Sequence, residues 1–303
     1  IEGADAGLVK KGALQLASLN PYMDRARLDD YAKAGLTAIA MELVPRITRA
    51  QSMDILSSQS NLAGYKAVLD AADSFTRAFP MMMTAAGTIA PAKVMVMGAG
   101  VAGLQAIATA KRLGAIVSAT DVRAAAKEQV ESLGGKFVMV DDEETANAET
   151  SGGYAKEMSD EYKAKQAALI ATTLAKQDIA IATALIPGRP APLLITEDMV
   201  KSMKPGSVIV DLAVENGGNC ALSKVGEIVE AHGVTIIGHK TVPSRLATDA
   251  SSLFARNLMH FITPHVKEGT LAIDFEDEVV AESLVTKDGA IVHPRLKGGE
   301  DNE

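Results

Sequence analysis

Gly98-Ala99-Gly100-Val101-Ala102-Gly103, followed by a carboxylate at Asp121 (121 − 103 = 18 residues on), is the strongest chemical signal in the chain. This spacing suits a dinucleotide. Gly98 permits a tight turn, Gly100 lets backbone approach a pyrophosphate, and Gly103 lets the next helix pack closely on its strand with its N-terminus facing the anion. Asp121 then reaches the hydroxyls of the adenosine ribose. Its charge repels a 2′-phosphate and accepts from a free 2′-hydroxyl, which favours NAD(H). Arg123 works against that preference, because a guanidinium compensates a phosphate.

A second polar concentration, Arg46-Ile47-Thr48-Arg49-Ala50-Gln51-Ser52-Met53-Asp54 continuing through Ser57, Ser58 and Gln59, lies between an apolar strand and a helix. Pro45 disfavours helix at its start, so the early part reads as a loop at a strand end, where α/β folds bind ligands. A polar link between domains is the competing reading, and residue types alone leave both open. The five histidines lack metal-ligand spacing and read as structural. Met81-Met82-Met83 and the Met95 to Met97 run read as core filler, and Asp141-Asp142-Glu143-Glu144 as a solvated loop edge.

The elements that must position these residues follow from periodicity. Lys93 to Met97 is a short apolar run of the kind buried on both faces of a parallel sheet. Val101 to Leu113 is an amphipathic helix with Lys111 and Arg112 in its last turn and Gly114 after it. The pattern repeats with strand Ile116 to Ala119, helix Ala124 to Leu133 and strand Lys136 to Val140. A polar stretch from Asp141 to Lys165 reads as an inserted mobile loop leading into a helix. Strands resume at Ile179 to Thr183, Val208 to Leu212 and Val234 to Ile237, with a helix between the first two that Thr196 caps and Pro205-Gly206 ends. Such alternation predicts a six-stranded, doubly wound parallel sheet. Upstream, Ala13 to Leu19 and Thr37 to Met41 are strands around a helix, and Asn61 to Ala78 is a long helix. Downstream, Leu253 to Ile262 is a helix, and Leu271 to His293 reads as short strands and turns.

The expected class is therefore α/β with two Rossmann-like domains. The central one spans 57–262; the other is discontinuous, 1–56 plus 263–303, and N-terminally incomplete, since the chain opens Ile1-Glu2-Gly3 without an initiator methionine. At 303 residues, 48% hydrophobic and 22% charged, the chain can bury two cores. A net charge of −8 without a basic stripe argues against nucleic acid. Cys220 is the only cysteine, which excludes an intrachain disulfide and suits a cytoplasmic setting. The most apolar stretch, Met81 to Gly103, is too interrupted to span a membrane.

Taken together, Arg46 to Tyr65, Gly98 to Gly103, Asp121-Val122-Arg123 and Ser151-Gly152-Gly153-Tyr154 resemble the NAD(H)-binding component of proton-translocating nicotinamide nucleotide transhydrogenase, over nearly the whole chain. The resemblance implies hydride transfer between NAD(H) here and NADP(H) on a partner component. It also implies a membrane component, a homodimer, and a place on the inner face of the bacterial inner membrane through the partner subunit. Carried over by motif, Arg46, Gln51, Asp54 and Ser57 hold the nicotinamide, with Ser57 at its carboxamide, and Ile47, Thr48, Ser52 and Met53 lie in the same loop. Val101, Asp121, Val122 and Arg123 contact the adenosine side. Gly153, Gln166 and Leu185 match further nucleotide contacts, and Tyr154 matches the tyrosine of a loop that closes over nucleotide. An alanine dehydrogenase-like enzyme shares the fold but lacks this Arg-Gln-Asp pattern, and a non-catalytic NAD sensor would have no use for it.

Overall fold

A computed structural model describes residues 3–140, 159–186 and 188–297. In chain order the first elements are β1 (Leu14–Ala17), α1 (Arg25–Lys33), β2 (Thr37–Ala40), α2 (Ile55–Ser74), β3 (Met82–Thr84) and β4 (Gly87–Ile89). Next come β5 (Lys93–Met97), α3 (Val101–Arg112), β6 (Ile116–Thr120), α4 (Ala126–Ser132), β7 (Lys136–Phe137), α5 (Asp160–Leu174) and β8 (Ile179–Ala182). The remainder is α6 (Glu197–Ser202), β9 (Val208–Asp211), β10 (Ile228–Ala231), β11 (Val234–Ile237), α7 (Ala247–Ile262), β12 (Val266–Lys267), β13 (Thr270–Leu271), α8 (Glu278–Ser283), β14 (Leu284–Lys287) and β15 (Ala290–Ile291).

The chain forms two compact units, Ile1–Gln59 with Thr248–Glu303, and Ser60–Ala247. The second is built on a sheet of order β10-β11-β9-β8-β5-β6-β7. All its pairings are parallel except β10 with β11. Numbering the parallel strands by appearance gives 3-2-1-4-5-6, the doubly wound order in which the chain starts at the centre and reverses between β5 and β8. Alternation along the strands explains why both faces are apolar. Val94, Val96, Ile179, Ile181, Val208 and Val210 face one core, with Ala67, Val68 and Ala71 of α2 and Ala106, Ile107 and Ala110 of α3. Met95, Met97, Ala180, Ala182 and Ile209 face the other, with Ile170 and Leu174 of α5 and Met199 and Val200 of α6. The Thr196 hydroxyl caps α6 as predicted, accepting from Met199 N–H.

Two local expectations are corrected. The six parallel strands are joined by a seventh, β10, antiparallel at the edge and linked to β11 by His232-Gly233, both at positive φ, which a tight hairpin turn requires. Met81, Met82 and Met83 are not core filler: they are 60%, 41% and 78% exposed, at the start of a β3–β4 hairpin that, among the described residues, pairs only with itself. Met95 and Met97 are fully buried.

The first unit has a four-stranded sheet, β1-β2-β14-β15, parallel between β1 and β2 and antiparallel elsewhere. Helix α7 groups with this unit and not with the central one, because Phe254, Leu258 and Phe261 join a core with Ile39, Met53, Ile55 and Val280.

Candidate functional site

The register of the central sheet brings the glycine motif and Asp121 together. Met97 is aligned with Thr120 on one side and Ala182 on the other, so Gly98, Asp121 and Thr183 leave three adjacent strands at the same edge. Each glycine has a distinct physical reason. Gly98 has φ +95°, and a Cβ there would lie 2.7 Å from Thr183 Oγ1. A Cβ on Gly103 would lie 1.8 Å from the carbonyl oxygen of Gly98, so the helix can rest on the turn only without one. A Cβ on Gly100 would meet nothing within 4 Å, the condition for a ligand to approach the backbone there. Gly100 is also the N-cap of α3 and brings no side-chain cap, which leaves the first-turn N–H groups for an anion.

Asp121 is tied into this turn more firmly than its spacing discloses. Its Oδ2 accepts from Ala99 N–H at 2.7 Å, and its Oδ1 accepts from Arg123 N–H at 2.9 Å. The Arg123 guanidinium adds two bonds, Nε to Oδ1 and Nη2 to Oδ2, each 2.9 Å. Asp121 thus braces the glycine turn and carries a paired cation, so Arg123 neutralises the charge that would repel a 2′-phosphate. Val101 is exposed, Val122 and Gln166 are half-buried, and Leu185 is 48% exposed beyond β8. Gly153 and Tyr154, with the acidic run 141–144, lie outside the described residues.

In the first unit, the loop after β2 passes Arg46, exposed, and Ile47, half-buried, and tightens into a 3₁₀ turn, Thr48–Met53. Ala50 and Met53 point into the core, leaving Thr48, Gln51 and Ser52 exposed. The helix then begins at Ile55, earlier than its apolar pattern suggested, because Asp54 caps it: its carboxylate accepts from Ser57 N–H at 2.9 Å and Ser57 Oγ at 2.5 Å. Gln51 makes no side-chain hydrogen bond among the described residues, so its amide is available to a ligand.

Two residues that fix this loop were not singled out by sequence. Arg49 forms a two-point ion pair with Asp277, at 3.0 and 3.1 Å, and Asp277 also caps α8 by accepting from Val279 N–H. The shared hydrogen bonds hold the Arg49 pKa above and the Asp277 pKa below their ordinary values. Asn257 of α7, buried, donates to the Ser52 carbonyl and accepts from Ser58 Oγ, both at 2.8 Å. Neither has a local pattern, since each partner is some two hundred residues distant in sequence. No cluster able to hold a metal occurs among the described residues, and no helix among them is long and apolar enough to cross a membrane.

Strand order and glycine turn define a Rossmann-type α/β protein. Residues 2–63 match the family domain described as Alanine dehydrogenase/PNT, N-terminal domain, and residues 67–294 the corresponding C-terminal domain. The first portion of the NAD(P) transhydrogenase alpha subunit of Rhodospirillum rubrum, a chain in its own right, is 65% identical over 98% of this chain and 78% of its own length. A solved transhydrogenase from Sinorhizobium meliloti superposes with a TM-score of 0.86 at 56% identity, over 95% of this chain and 77% of that one. L-alanine dehydrogenase shares the fold, with a TM-score of 0.78 at 24% identity over 97% of this chain and 76% of that one. The chain belongs to the alanine dehydrogenase/PNT family of oxidoreductases, on the side of the NAD(P) transhydrogenase alpha subunits.

Proposed function

We propose that this chain binds NAD(H) and presents it for direct hydride exchange with NADP(H) held on a partner component, as the NAD(H)-binding component of a proton-translocating transhydrogenase. The observation that carries the reading is the alignment of Gly98, Asp121 and Thr183 at one sheet edge, in a chain close to a named transhydrogenase subunit. The residues present fit a dinucleotide: open space at Gly100 and an uncapped α3 N-terminus for the pyrophosphate, and Asp121 with Arg123 and Val122 for the adenosine.

Bound NADH would supply the hydride from its nicotinamide C4, chemistry that needs neither a metal nor a general acid or base. The protein's own task is orientation. Gln51 contributes a free amide, Ser57 a hydroxyl whose direction Asp54 fixes, and Arg46 a cation at the entrance of the same turn. Misplacing reacting atoms by about an ångström costs ~10²-fold in rate, so the rigidity of the Thr48–Met53 turn belongs to the mechanism.

The partners on this reading are an NADP(H)-binding component and a membrane component, through which the chain sits on the inner face of the bacterial membrane. A second copy of this chain is supported by the exposed β3–β4 hairpin. The test is nicotinamide-to-nicotinamide transfer to an acetylpyridine analogue of NAD, with and without the NADP(H)-binding component. Transfer that requires the component is expected. Reduction of an imino acid by NADH without it would place the chain with the dehydrogenases, and NADH binding without transfer under either condition would make it a sensor.

A further inference from the structure

The loops that leave β8 and β9 are joined by one fully buried side chain, Asn219. Its Oδ1 accepts from Ala184 N–H at 3.0 Å, while its Nδ2 donates to the Ala184 carbonyl at 2.9 Å and the Pro192 carbonyl at 2.8 Å. The side chain thus pairs with both sides of one residue, as a neighbouring strand would, and fixes Ala184 where the ladder has ended. Asn219 is itself held: its N–H donates at 2.9 Å to Oδ2 of buried Asp211, which also accepts from Ala213 N–H, Cys220 N–H and Ser223 Oγ. Gly218 is at φ +81°, and a Cβ there would lie 2.9 Å from that same Oδ2, so the loop reaches Asp211 only with glycine. On the other side of Ala184, Thr183 Oγ1 donates to the Gly98 carbonyl at 3.0 Å. Glycine turn, β8 end and β9 end are therefore one hydrogen-bonded assembly.

The place of that assembly in the sheet gives it a role. Asp121 lies on the β6 side of the glycine turn, and β8 and β9 lie on the opposite side. A dinucleotide laid across a doubly wound sheet, with its adenosine ribose at Asp121 and its pyrophosphate at the α3 N-terminus, extends its other nucleoside over β8 and β9. Resting on the NAD(H) reading above, we propose that Asn219 is a positioning residue that fixes the Thr183–Leu185 wall against the nicotinamide half of the dinucleotide. Leu185, half exposed and next to the clamped residue, is the side chain this wall presents.

The test compares NADH with 5′-AMP, which carries only the adenosine half, by calorimetric titration of the full chain. Asn219→Ala should weaken NADH about tenfold, on the order of 1.4 kcal/mol, and leave 5′-AMP within about twofold, a difference a general loss of structure would not produce. Equal weakening of both ligands, or unchanged NADH affinity, overturns the proposal. If Asn219→Ala does not fold, Asn219→Ser, whose hydroxyl can keep one of the three bonds, is read by the same two titrations. In the unaltered protein, the Ala184 amide should exchange with deuterium more slowly with saturating NADH than with saturating 5′-AMP, and equal rates also overturn it. An unaltered chain that binds neither ligand would instead remove the NAD(H) reading.

Discussion

A ribose hydroxyl approaching Asp121 meets a carboxylate already engaged by Ala99 N–H and by the backbone and guanidinium of Arg123. It must share those oxygens or turn the guanidinium aside, so cofactor preference depends on the pair. Removing the cation should sharpen it: in Arg123→Gln the Asp121 charge faces a 2′-phosphate uncompensated. NADPH affinity should then fall about tenfold while NADH stays within about threefold, read by fluorescence titration of each. NADPH that binds the variant as well as before would show that Arg123 has no part in the choice. A second single-residue effect concerns stability. Buried His293 donates from Nε2 to the Glu282 carbonyl, and its Nδ1 has no hydrogen-bond partner among the described residues. Burial, and then the charge of nearby Arg295, push its pKa below the ordinary imidazole value. The unfolded chain therefore takes up the proton first as pH falls through about 6.5. Stability from this group is complete above that pH and is lost as pH falls towards the lower folded value. Melting temperature should drop over that window, and His293→Gln should make the drop shallower; an identical profile for the variant would rule His293 out as its source.

Among the elements, the glycine turn was legible because its pieces are local: a strand, a turn and a helix follow within twenty or so residues, and spacing alone sets their chemistry. The central strands were legible because both faces are covered, which writes them as unbroken apolar runs. The hairpin β10–β11 had a signal too, alternating Ile228–Ala231 before His232-Gly233, but the exposed face of an edge strand weakens its pattern. Met81 to Met83 misled for a different reason: apolarity says a side chain gains from cover, not that this chain supplies it. The supports of the Arg46–Ser57 loop were beyond any local pattern, since Asn257 reaches Ser52 only after the first unit has folded. That dependence is testable. Asn257→Ala leaves the Ser52 carbonyl and the Ser58 hydroxyl without this partner, at about 1–3 kcal/mol of stability, and frees the turn that carries Gln51. Hydride transfer in the assembled enzyme should fall ~10²-fold, whereas NADH affinity should change by no more than about threefold, because the glycine turn and Asp121 are untouched. A variant that transfers hydride at the original rate would show that the turn holds its shape without Asn257.

At the scale of the molecule, each unit closes its own core, yet the hairpin β3–β4 of the second unit is left outside one. Every residue of both strands is exposed, and among the described residues the strands pair only with each other. A two-stranded hairpin is marginal in water unless something packs on it, and Met81, Met82, Met83 and Ile89 offer an apolar surface for that purpose. Methionine suits a surface that must adapt to a partner, being unbranched and polarizable. A second copy of the same chain is the simplest cover, because a two-fold axis turns one unpartnered hairpin into two that protect each other, the commonest symmetry of soluble oligomers. Sedimentation velocity should then find a dimer. Met82→Glu with Met83→Glu, one on each face of the hairpin, should shift it to monomer by setting like charges in the interface, while NADH affinity stays the same because the glycine turn lies elsewhere on the unit. A dimer that survives both substitutions would place the contact elsewhere, and an unaltered protein that sediments as a monomer would leave the hairpin to one of the other components.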